Sequence, residues 1–169
     1  MNRSRFIIST IMAWLIFIGI DFIIHASVLA ELWLKEVPAI KDLTELAYLI
    51  PFGYLSFLIL TLLFGWIFLK IHPEDPGMNN AVIFGIKFGG LFSAANFSGL
   101  YSFVDIPLLH LFAFNFVYFV ELTAVSAVYG WMLYSETIKK KVVRLMILFF
   151  ILLITGLVIQ NIFGNYNAV

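Results

Sequence analysis

Residues 6–29 read FIISTIMAWLIFIGIDFIIHASVL, an apolar run with no Lys or Arg and a single acidic residue, Asp21. As a helix rising 1.5 Å per residue, such a run reaches about 36 Å, more than the roughly 30 Å of a bilayer's hydrocarbon core. Arg3, Arg5 and the small-residue end Val28-Leu29-Ala30 also suit a secretory signal with cleavage after Ala30. The apolar stretch is longer than a signal core and is interrupted by Asp21 and His25, so it reads as a retained membrane span.

Four more stretches repeat the pattern. Residues 46–69 form a second predicted span with Pro51 in its first turns, where a missing amide hydrogen does least harm. Lys70 to Gly77 supplies two prolines and a glycine, which make a polar turn. The third span covers 81–103 and ends before Asp105 and Pro107, because a residue preceding proline is driven from helical angles. The fourth covers 108–134 and the fifth 142–163. The short connection from Val104 to Pro107 leaves open a re-entrant element in place of two full crossings. No internal repeat is visible, so the chain reads as one all-α domain over residues 1–169, a bundle of five transmembrane helices.

Composition agrees. Of 169 residues, 63% are hydrophobic and 12% charged, whereas soluble domains carry about 25% charged residues. Mean hydropathy is +1.04. Ten basic and ten acidic side chains cancel, which removes the clustered positive field that a nucleic-acid partner requires. With no cysteine, disulfides, thiolate nucleophiles and Cys-ligated metal centres are excluded.

Basic residues set the expected orientation, since Lys and Arg are retained on the cytoplasmic side. Five crossings place Arg3, Arg5, Lys70, Lys139, Lys140, Lys141 and Arg144 on one side and only Lys35 and Lys41 on the other. The N-terminus is therefore expected inside and the C-terminus outside. The overall look is similar to small bacterial inner-membrane proteins, which makes the plasma membrane the expected location.

In lipid, close approach through small residues and interhelical hydrogen bonds holds helices together. Ala81, Gly85, Gly89 and Ser93 recur every four residues on the third span, with Gly90, Ala94 and Ser98 as a second row beside them. The third span is therefore expected at the centre, with Thr123, Ala127 and Gly130 opposing it. Trp33, Trp66 and Trp131 fall near span ends and suit interface anchoring, while Trp14 lies deeper and suits packing.

Ionisable groups within spans cost roughly 2.5–3.5 kcal/mol at the bilayer centre, so each is a functional candidate. Asp21 and His25 are four apart and share a helix face. Placing helices by their predicted ends puts Asp21, His25, Asn96, Tyr101, His110 and Asn115 in the outer half of the membrane, with Asp105 above them. That set is a candidate ligand or proton pocket. A metal site using His25 and His110, or a haem held between those two imidazoles, are the competing chemistries. Mutual hydrogen bonding without chemistry is the plainest. Lys87 and Glu121 form a candidate buried ion pair, against which stands snorkelling of Lys87 to the headgroups. His72 reads as a solvated loop residue.

No catalytic motif and no cofactor requirement emerges. The expected partners are the lipid bilayer and other membrane subunits or further copies of this chain. The first expectation is a non-catalytic subunit or accessory protein of a membrane complex. The alternative is a ligand-, proton- or cofactor-binding membrane protein that uses the polar pocket.

Overall fold

The computed structural model describes residues 3–33, 35, 37, 39–41 and 43–166. Six helices follow in order: α1 (Arg3–Ile23), α2 (Ala30–Trp33), α3 (Leu43–Ile71), α4 (Gly77–Phe103), α5 (Leu108–Met132) and α6 (Ile138–Tyr166). Five of them, all but α2, are long and apolar enough to cross a membrane. The described residues thus form an all-helical bundle with five helices of membrane-spanning length and hydropathy, as the composition and the long apolar runs predict.

The first span differs from its predicted 6–29 in an informative way. α1 gives way at Ile24–Val28 to one wider π turn and then continues as α2, with Leu29 N–H bonded to Ile24 O at 2.7 Å and Trp33 N–H to Leu29 O at 3.2 Å. Such turns insert a residue into the helical ladder and recur at functional sites. His25 sits within this one.

The other spans start earlier or stop sooner than hydropathy suggests. α3 begins at Leu43, which places Pro51 inside the helix and beyond its first turn. Gly77 opens α4 with φ +72°, a conformation that costs an L side chain strain, and its N–H bonds Asp75 Oδ1 at 2.8 Å. The α4–α5 connection is extended at Val104 (φ −117°, ψ 129°) and turns at Pro107, leaving two full-length helices in place of a re-entrant element.

The centre of the bundle is α5, a correction to the expectation for the third span. α5 packs on α4, α1 and α3, while α1 packs on α3, α5 and α6. α5 buries His110, Leu111, Asn115, Glu121, Tyr129 and others around its circumference, whereas α4 buries a single row, Ala81, Gly85, Gly89 and Ser93. Small residues fit α4 to one neighbour; they do not make it central. A Cβ on Gly85 would lie 2.6 Å from Ser126 Cβ, and one on Gly130 would lie 2.3 Å from Ala81 Cβ, so the two backbones touch along this row. Ser126 Oγ donates to Ala81 O at 2.6 Å across the same seam. Thr123 and Gly130 thus lie where expected, and Ser126 joins them. By contrast a Cβ on Gly90 meets nothing within 4 Å.

Tyr129 ties α5 to the N-terminal half of α1 and the C-terminal half of α3. Fully buried, its hydroxyl lies 2.9 Å from both Thr10 Oγ1 on α1 and Thr61 O on α3, and its ring stacks on Phe64 and Phe68. A Cβ on Gly65 would meet that hydroxyl, so glycine is required for this approach. α6 is fixed to the opposite side of α1 by Gly19 against Leu152 and by Ser27 Oγ donating to Gly156 O at 2.9 Å. Trp14, expected only to pack, also donates its Nε1 to Tyr54 O at 2.9 Å. His72, read as solvated, packs its ring against Phe68 and Phe84 at 5.0 and 5.4 Å.

Candidate functional site

A register argument locates the site. His110 Nε2 lies 3.0 Å from the Leu32 carbonyl, which sets these two residues at one level of antiparallel neighbours. Asp21 lies eleven residues before Leu32 and Glu121 eleven residues after His110. At 1.5 Å per residue both carboxyl groups lie about 16 Å deeper than that contact, at matching depth. Their side chains approach there from two helices, both lining one cavity and close enough for their charges to interact.

Two carboxylates can only accept hydrogen bonds, so a bond between Asp21 and Glu121 requires that one of them carry a proton. Glu121 is 1% exposed, and its Oε1 is buried with no hydrogen-bond partner. His25 Nε2, four residues further along the same helical face, stands 3.5 Å from Asp21 Oδ1. The three groups open on a cavity of about 210 Å³ walled by Phe57 of α3 and by Phe114, Val117 and Tyr118 of α5. Asp21 and His25 keep 19% and 24% of their side-chain surface accessible, so the cavity is not sealed.

Toward Trp33 and His110 the neighbours of this cavity are aromatic. The Trp33 ring lies 4.4 Å from Phe114, 5.1 Å from His25 and 5.5 Å from His110, standing between the two imidazoles. His25 and His110 therefore do not face each other, and His110 Nε2 is already occupied by Leu32 O. The two-histidine haem or metal arrangement, one of the competing chemistries, thus finds one nitrogen of His110 already engaged and an indole beside both rings. Among the described residues, no three His, Cys, Asp or Glu side chains gather closely enough to hold a metal ion. Trp33, predicted to anchor at the interface, is an internal wedge whose Nε1 is buried without a partner.

The rest of the predicted pocket lies elsewhere. Asn115 is six residues before Glu121, and at 100° per residue the two point to different sides of α5. Asn115 accepts from Asn96 Nδ2 at 2.9 Å and donates to Leu111 O at 2.7 Å, which forms a polar clasp on the α4 side. Tyr101 is 66% exposed and stacks on Phe97, and Asp105 is exposed in the connection. Of seven predicted pocket residues, only Asp21 and His25 enter the cavity. Lys87 is exposed on α4 and makes no ion pair with Glu121, which faces α1 instead. Gly90, Ser93 and Ala94 line a separate apolar groove of about 390 Å³ between α4 and α5.

The sequence signal that could have found Glu121 as Asp21's neighbour was the helical continuation from Leu29 to Trp33. Ending helix one near Leu29 leaves Asp21 too close to the end of its helix to match Glu121. Compared with known protein families, curated proteins and solved structures, the chain matches none.

Proposed function

We propose that this protein is a proton- or small-ligand-binding membrane protein whose working site is the Asp21–Glu121 carboxyl pair with His25. One observation carries the reading: two acidic side chains from different spans meet inside the bundle, beside a histidine and a cavity of about 210 Å³. Intramembrane acids are costly to bury, and proton relays are a principal use of them. A pair that shares one proton can release it when a ligand or conformational change separates the partners.

The test is infrared difference spectroscopy on the full-length protein in bilayers. The account expects a protonated-carboxyl band at neutral pH that is lost in Glu121→Gln and shifted in Asp21→Asn. Absence of that band would refute the reading.

We place the N-terminus in the cytoplasm and the C-terminus outside, supported by the seven-to-two excess of Lys and Arg on the predicted inner side. The bacterial plasma membrane is the proposed location. A second reading, a subunit or accessory protein of a membrane complex, is favoured by the α4–α5 groove. There Gly90 is open and the buried Ser93 Oγ lacks a partner, which suits close approach of another helix. Elution in mild detergent at the size of the single chain alone would count against it.

A further inference from the structure

We propose that the cavity between α1, α3 and α5 binds a small organic ammonium ion, with the Asp21–Glu121 pair as counter-charge and aromatic rings as walls. The proposal rests on the reading of that pair as a proton-binding site, and names the ligand class that the site would take.

Four features of the cavity select this chemistry. Its charge is acidic: Asp21 and Glu121 line it, and no Lys or Arg does. Beside His25 and Val117, its walls are Phe57, Phe114 and Tyr118, rings whose negative faces attract an ammonium group within about 6 Å. Its volume of about 210 Å³ matches roughly seven waters at about 30 Å³ each, the size of a cation with a similar number of non-hydrogen atoms. Finally, the Oε1 of Glu121 is fully buried and lacks any donor, an acceptor that a cationic N–H or N–CH₃ group would satisfy.

The same features disfavour inorganic cations. Calcium and magnesium require about six or more oxygen ligands, and the cavity supplies oxygens from two carboxyl groups and one phenol among apolar rings. An organic ammonium ion carries much of its own apolar surface and needs fewer ligands. Access exists because Asp21 and His25 remain partly accessible.

Charge balance makes the binding an exchange. The empty site holds one proton between two carboxyl groups and carries one negative charge. When the cation enters, that proton leaves for solvent, the pair becomes doubly negative, and the total with the monocation is again one negative charge. The ionisable groups facing the pair are His25 in the π turn after α1, Tyr54 on α3 and Tyr118 on α5. On the far side of α1, α6 presents Leu152 and Phe149 at Gly19.

The experiment is calorimetric titration of the full-length protein in detergent with tetramethylammonium chloride, using sodium chloride as the ionic control. Repeating it in buffers of different ionisation enthalpy reads proton release. The proposal expects saturable binding with up to one proton released per cation, and affinity that falls about tenfold per pH unit as pH is lowered through the range where the pair holds its one proton. Glu121→Gln should lower affinity at least tenfold, and Phe114→Leu severalfold, with melting curves serving as the check on folding. If Glu121→Gln does not fold, the wild-type pH dependence and Phe114→Leu carry the test. Absence of saturable binding in protein that retains its carboxyl infrared band overturns the ammonium proposal and leaves the proton reading standing. Loss of both signals overturns both. Binding without proton release, or unaltered in Phe114→Leu, overturns the proposed exchange in an aromatic cavity.

Discussion

Gly85→Ala and Gly90→Ala add the same methyl group to the same helix, and the structure assigns them opposite outcomes. At Gly85 the new Cβ would sit 2.6 Å from Ser126 Cβ and 2.9 Å from the Thr123 backbone. Carbon atoms rest at about 3.5–4.0 Å, so α4 and α5 would have to part by roughly 1 Å along their closest seam. Overpacking of this kind costs about 1–3 kcal/mol, and the gain in helix propensity from Gly to Ala returns about 0.5–1 kcal/mol. The separation also strains the hydrogen bond from Ser126 to Ala81 O. A net loss of roughly 1–2 kcal/mol follows, or about 2–8 °C in melting temperature for a chain of this size. At Gly90 nothing lies within 4 Å of the added carbon, so only the propensity gain of about 0.5–1 kcal/mol operates. Thermal melts of the two variants in one detergent, followed by size-exclusion of the soluble fraction, give the comparison. Gly90→Ala should melt at or above the parent and Gly85→Ala below it. Equal shifts in the same direction would refute the assignment of Gly85 to the α4–α5 contact.

Tyr129→Phe keeps the packed ring and removes the hydroxyl that reaches Thr10 and Thr61 O, so it should destabilise by about 0.6–1.7 kcal/mol, read as a lower melting temperature in detergent. Tyr134, outside the spans, bonds to His72 O, and burial first and the Asp75 charge second raise its phenol above the ordinary 10.0. Its neutral form is the one the fold favours, so its stabilising contribution is complete below pH 10 and is lost as pH rises through the raised value; Asp75→Asn should move its tyrosinate absorbance titration back toward 10. Because the chain has no native cysteine, single variants Lys35→Cys and Ser135→Cys can be labelled without background, and an impermeant thiol reagent should reach Lys35→Cys only from outside and Ser135→Cys only from inside. Labelling of both from one face would contradict the five-crossing topology.

The spans were legible because each apolar run is longer than a soluble helix needs, and the turn chemistry at Pro73–Gly77 and at Asp105–Pro107 marks where the chain reverses. The α4 row was legible too, since a four-residue repeat of small residues has one geometric use between helices. Centrality was not. A helix with one small-residue face serves one neighbour, while α5 buries side chains of every size around its axis, a property that shows no periodicity.

The site was half legible. Asp21 and His25 declare themselves as polar groups on one helical face, but their partner depends on relative helix depth. That depth shifted when the π turn carried helix one on through Trp33. Glu121 was matched with Lys87 by charge, whereas depth and the face of α5 bring it to Asp21. Opposite charge is a weak guide inside a bundle, where a proton can serve as the counter-ion between two acids.

The most direct test is a thiol cross-link between α1 and α5 at the depth of the carboxyl pair. A double variant Asp21→Cys and Glu121→Cys, treated in membranes with a short bifunctional thiol reagent, should give an intramolecular link within one chain; Lys87→Cys with Glu121→Cys should give none. Linkage of the second pair and not the first would place Glu121 toward α4 and contradict the buried acid pair.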